Sequence, residues 1–165
     1  MTLWGALAGG FIGTLVLTTV LRGASELRMT RLDLPFLLGT MVTIDRLRAK
    51  ALGYLFHFFF GLFFALGYYA VFRAVGRAGW LLGAALGLVH AMFSGSALVN
   101  VLLPVVHPRM GSSLSSIDSG ALVESPGFMM LNYGRGTPLV SLGAHIAYGA
   151  LVGGLSALGS NIDSV

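Results

Sequence analysis

The sequence predicts an all-α fold: a four-transmembrane-helix bundle with a short interfacial or re-entrant helix between helices 1 and 2. Three observations predict it. Hydrophobic residues make up 56% of the chain and charged residues only 10%, whereas a soluble domain carries about 25% charged residues. Mean hydropathy is +0.86. Four uncharged stretches, at 3–21, 51–72, 79–106 and 138–158, each exceed the ~18 residues that mark a spanning helix. Alternating β-barrel patterning is absent, and hydrocarbon admits only helices and closed barrels. The 165 residues suit a single integral membrane domain.

The first stretch contains Gly5, Gly9 and Gly13, a repeated small-xxx-small pattern that lets a neighbouring backbone come close. Thr14, Thr18 and Thr19 follow and can bond back to helical carbonyls. With no basic n-region and an apolar run longer than an ordinary h-region, it reads as a retained helix, not a signal peptide. The loop from 22 to 50 holds six of the ten basic residues. Inside it, residues 34–44 are apolar but too short to span. Asp33 before Leu34-Pro35 is an N-cap followed by proline in the first turn. Thr43 and Asp45 are placed to cap helix 2.

Helix 2 carries His57, with Gly53 and Gly61 four residues away on either side. That spacing puts all three on one face. Arg73 and Arg77 mark the turn into helix 3, where Gly79, Gly83, Gly87, Ala91 and Gly95 form a ladder of small residues. Its polar members are His90, Ser94, Ser96 and Asn100; Pro104 bends or ends it, and His107 is expected at the interface. The connection from 111 to 137 is serine-rich at first, which reads as mobile. Its later part, with Phe128, Met129, Met130, Leu131 and Tyr133, should lie on the membrane surface or fold over the bundle.

Counting inward from the charged face at ~1.5 Å per residue places His57 and His145 at one depth, about 10 Å in, with Asn100 and Thr14 beside them. His90 is expected much deeper, near the other face. His57-xxx-Gly61-xxx-Ala65 and His145-xxx-Gly149-xxx-Gly153 share a spacing that would leave a slot beside each ring. Such a slot suits a flat tetrapyrrole, a haem b or chlorin, with His57 and His145 as axial ligands. Two histidines fall short of the three or four ligands a metal ion needs. They could equally carry a proton, hold a solute, or simply hydrogen-bond Asn100 or a carbonyl and so join helices.

Other chemistry is scarce. There are no cysteines, which excludes disulfides and thiolate metal sites. No acidic residue lies within a span, and Glu26, Asp33, Asp45, Asp118 and Glu124 fall in loops, so a carboxylate-driven pump is disfavoured. No G-x-S-x-G, P-loop or dinucleotide fingerprint occurs. The basic residues flank spans, so a pI near 10.0 points to topology and membrane lipid, not nucleic acid. Eight basic residues lie on one side of the spans and two on the other. The positive-inside rule then puts both termini on the non-cytoplasmic side of a bacterial inner membrane.

Residues 32–41 (LDLPFLLGTM), the glycine and histidine of GYLFHFFFG, HPRM at 107–110, and NYGRGTPLVSLGAHIAYG at 132–149 carry a resemblance. On these the chain resembles a group of small uncharacterised four-helix bacterial membrane proteins. The resemblance implies a four-helix integral membrane protein and brings no activity, cofactor or functional residue with it. The readings that remain are a non-enzymatic membrane subunit or scaffold in a homo-oligomer or larger complex, a haem- or chlorin-binding electron-transfer anchor, and a small channel or carrier with a histidine layer.

Overall fold

A computed structural model describes residues 1–110 and 123–158. Among the described residues helix is the only extended regular structure, and one isolated bridge joins Met110 to Val123. The order is α1 (Leu3–Glu26), α2 (Leu34–Gly39), α3 (Arg46–Val75), α4 (Trp80–Phe93), a π-helical stretch (Ser94–Leu102), α5 (Leu103–Val106), a 3-10 hook (Phe128–Tyr133) and α6 (Thr137–Leu158). Among the described residues four helices are long and apolar enough to cross a membrane: Leu3–Glu26, Arg46–Val75, Trp80–Val106 and Thr137–Leu158. Two of them run well past their uncharged stretches, because a helix does not stop at its first charge. Arg22 and Glu26 pair at 2.7 Å across the last turn of α1. At the start of α3, Asp45 Oδ1 accepts the Arg48 N–H at 2.8 Å, a helix cap.

The chain divides into two compact units, Met1–Val20 with Phe58–Ala91 and Ser141–Val165, and Leu21–His57 with Met92–Val140. In the first unit the glycines set the register. Gly79, Gly83 and Gly87 of the α4 segment face Gly153, Gly149 and His145 of α6, one step of four forward against one step of four back. A Cβ at Gly87 would stand 2.9 Å from Ile146 Cα, and one at Gly149 would stand 2.9 Å from Gly87 Cα. Backbone therefore meets backbone, which no side chain would permit. The same device joins α1 to α6. A Cβ at Gly9 would stand 2.7 Å from Val152 Cα, and one at Gly13 would stand 3.3 Å from Tyr148 Cα. Gly5 packs against the Leu155 carbonyl. On α3, Gly61 meets the Thr14 side chain and Ala65 meets Gly10. Thr14 is buried and donates to the Gly10 carbonyl at 2.7 Å, so its hydroxyl is satisfied within α1.

In the second unit α2 lies antiparallel to the start of α3. Gly39 meets the Ala49 backbone and Gly53 meets the Pro35 backbone. Asp33 caps α2 by accepting the Phe36 N–H at 3.1 Å and pairs with Lys50 at 2.8 Å. The helix closes at Gly39, short of the apolar run that ends at Ile44. The hook at Phe128–Tyr133 holds Met129 (φ 50°) and Met130 (φ 61°) in the left-handed region, and both are buried. Such residues cost about 1–3 kcal/mol each and persist only where packing holds them. Here the Met129 sulfur fills the space beside Gly95, 2.6 Å from where a Cβ would stand. Residues 111–122, the serine-rich part expected to be mobile, lie outside the described residues.

Replacing Gly83 or Gly87 with leucine should push α4 from α6 and lower stability in detergent by about 1–3 kcal/mol or more. Gly67, with nothing within 4 Å of its Cβ position, supplies the control. Thermal unfolding of the three variants checks this: Gly67→Leu should melt near the parent and the other two clearly below it.

Candidate functional site

The first unit gathers ionisable and aromatic side chains from three helices around His90. The Phe64 ring lies 4.0 Å from it, His145 4.9 Å at 80°, Tyr148 5.9 Å and Tyr68 6.0 Å, centroid to centroid. The two tyrosines meet edge to face at 5.6 Å. Tyr68 Oη and His90 Nδ1 are 3.3 Å apart. Tyr148 donates its hydroxyl to the Gly61 carbonyl, which is how a buried phenol on α6 is satisfied by α3.

His145 has a defined tautomer. Its Nδ1 lies 2.8 Å from the Ser141 carbonyl oxygen, one helical turn back. A carbonyl only accepts, so Nδ1 carries the hydrogen and Nε2 of the neutral ring carries a lone pair. An imidazole held in this way can accept a proton, a hydrogen-bond donor or a metal ion at Nε2. Among the described residues no group of three or more His, Cys, Asp or Glu is placed to hold a metal ion.

The structure groups the histidines differently from the depth count. His90, expected near the far face, stands beside His145. The glycine register explains this: Gly87 sits at His145, and His90 follows one turn later. Residues 94–102 are also wound with bonds five residues apart, as from Leu103 N–H to the Leu98 carbonyl. That puts more residues in each turn, so counting at α-helical rise overstates the depth of His90. His57 is half-buried on α3, and Asn100 is half-buried in the π-helical stretch; both belong to the second unit, whereas His145 belongs to the first. The ground beside the histidine spacings is occupied: Gly149 and Gly153 lie against the α4 backbone, and Gly61 and Ala65 against α1. Tyr68 and Tyr148 join the cluster without belonging to the histidine spacings. Tyr148 carried a signal, since it follows His145 by three residues on the same face; Tyr68 carried none.

A second polar cluster forms in the second unit. His107, expected at the interface, is only 4% exposed. The Arg109 N–H donates to its Nδ1 at 3.2 Å. Its Nε2 therefore bears the hydrogen and donates to the Leu37 carbonyl at 3.1 Å, with Thr40 Oγ1 at 3.2 Å. Arg109 Nη1 donates to the Thr40 and Met41 carbonyls at 2.8 and 3.1 Å. Together they hold the Leu37 carbonyl of α2 and the Thr40 and Met41 carbonyls just beyond it, while the N–H groups of residues 40–43 bond the Phe36, Leu38 and Gly39 carbonyls. Burial foremost, and then the Arg109 charge, hold His107 below the usual histidine range, against the Leu37 bond that raises it.

Comparison of the chain with protein-family models, curated proteins and solved structures finds no match.

The His107 environment sets a pH dependence. Above about pH 6.5 the ring is neutral in both folded and unfolded chains. Below that value the unfolded chain takes up a proton that the folded one resists, so this contribution to stability is lost as pH falls toward the lowered folded value. The melting temperature in detergent should drop between about pH 7.5 and about pH 5.5, and His107→Gln should flatten that drop. Parallel profiles for parent and variant would contradict the assignment.

Proposed function

We propose that this chain is a non-enzymatic multi-pass membrane protein, a subunit or scaffold whose four helices cross a bacterial inner membrane with both termini outside the cytoplasm. The observation that carries the reading is where the small residues point. The glycine faces of α1, α4 and α6 are spent on each other within the first unit. In lipid, where no hydrophobic force drives helices together, such close packing is what makes a rigid bundle. Buried hydroxyls at Thr14, Ser156 and Tyr148 donate to backbone carbonyls, so they serve cohesion and not catalysis. A further copy or subunit would meet the face around Gly143, whose Cβ position is open.

One observation favours a second reading, a tetrapyrrole or a histidine site for a proton or solute. It is the lone pair left on His145 Nε2 by the bond to Ser141. Against a tetrapyrrole stands the occupied ground at Gly61, Gly149 and Gly153. A flat macrocycle would have to displace helix backbone at Gly149 and Gly153 and the Thr14 side chain at Gly61.

Two outcomes test these readings. The chain has no cysteine, so a single cysteine in place of Leu158 labels cleanly. A membrane-impermeant maleimide should react with it in cells whose outer membrane is permeabilised; reaction only after the inner membrane is opened would reverse the orientation. The purified protein should show no Soret band. A band that disappears in His145→Ala would establish the tetrapyrrole reading in place of the scaffold.

A further inference from the structure

The end of α1, in the second unit, carries an arginine where the backbone favours glycine. The Met29 N–H bonds the Ala24 carbonyl at 2.9 Å and the Arg28 N–H bonds the Ser25 carbonyl at 3.0 Å, a Schellman turn. Arg28 occupies its left-handed position with φ 58°. Glycine takes that conformation without steric cost and arginine does not. The Arg28 side chain is exposed, and no carboxylate of the described residues lies within 4.0 Å of it. The turn's own backbone bonds hold the conformation, and no ion pair of the side chain within the described residues adds to them.

The turn is bound to the segment that leads into α6. The Arg31 N–H donates to the Tyr133 carbonyl at 2.7 Å, the Thr30 and Thr137 hydroxyls share a buried 2.7 Å bond, and Gly136 packs against the Met29 carbonyl. Arg135, also exposed and with no described carboxylate within 4.0 Å, thus rides on a strand of chain fastened to the Arg28 turn. Arg31 is partly answered by Glu124 at 3.6 Å and by the Asn132 carbonyl. Leu27, Met29, Phe128 and Leu131, in the same two segments, are exposed.

We infer that Arg28 and Arg135 bind the phosphate of an anionic phospholipid, with Leu27, Met29, Phe128 and Leu131 against its acyl chains. The inference rests on the membrane-spanning reading above. Cationic and apolar side chains interleaved at the ends of two spanning helices fit the boundary between headgroups and hydrocarbon. A soluble anion would leave the apolar side chains without a partner.

Detergent-solubilised parent, Arg28→Gly, Arg135→Gln and the double variant are titrated with phosphatidylglycerol or phosphatidylcholine, and thermal unfolding is read at each step. The same proteins are reconstituted in phosphatidylcholine vesicles and washed with carbonate. The parent melting temperature should rise with phosphatidylglycerol and not with phosphatidylcholine. Without lipid, Arg28→Gly should melt at or above the parent, because the left-handed turn is relieved. Its half-maximal phosphatidylglycerol concentration should nevertheless rise roughly fivefold, with a further loss in the double variant. Equal responses to the two lipids, an unchanged midpoint in the double variant, or the same stabilisation by soluble glycerol phosphate would overturn the site. Release of the parent from the carbonate-washed vesicles would overturn the membrane reading, and this inference with it.

Discussion

Close approach of helix backbones at glycine is the constraint on which the first unit depends. Gly83 against Gly149 and Gly87 against His145 fix how far α4 slides along α6. Everything built on those helices inherits that register. The His90 ring arrives beside His145, and Phe64, Tyr68 and Tyr148 close around it. In water such helices would be held by burying apolar surface. In lipid the gain must come from contact itself, and contact is greatest where no Cβ intervenes. A single methyl at Gly83 would meet the Gly149 carbonyl and be felt along the whole pair.

The second unit answers a different requirement, the satisfaction of backbone that is not helical. A six-residue helix has more orphan carbonyls than internal bonds. His107 takes up the Leu37 carbonyl of α2, Arg109 takes up the Thr40 and Met41 carbonyls that follow it, and the Asp33 side chain accepts the Phe36 N–H. Irregular chain near a hydrocarbon phase is tolerated only where protein supplies such partners. The left-handed pair Met129–Met130 is held in the same spirit, by burial of both side chains and by the space that Gly95 leaves. The described connecting segments of the second unit thus have their own polar core.

Much of this was legible in the sequence. The four long helices follow from runs of uncharged residues, and the Asp33 and Asp45 caps follow from side-chain chemistry local to one turn. The spacing of the glycines marked which faces could pack closely. What local pattern could not supply was the partner of each face. His57 and His145 looked equivalent because their spacings to glycine match, yet the structure gives His145 a neighbour, His90, that linear depth had placed elsewhere. The π-helical winding of residues 94–102 is invisible to a count at uniform rise. His107 followed a proline-terminated helix and read as interfacial; its burial depends on α2, which approaches from far along the chain.

The most direct measurement of the central claim is an NMR contact map of isotope-labelled protein in detergent or nanodiscs. The account predicts cross-peaks between the Gly83 and Gly149 α-protons and between Gly87 and Ile146, the signature of backbones in contact with α4 and α6 antiparallel in this register. Cross-peaks pairing Gly83 with a different turn of α6, or no backbone-to-backbone contact between the two helices, would contradict it.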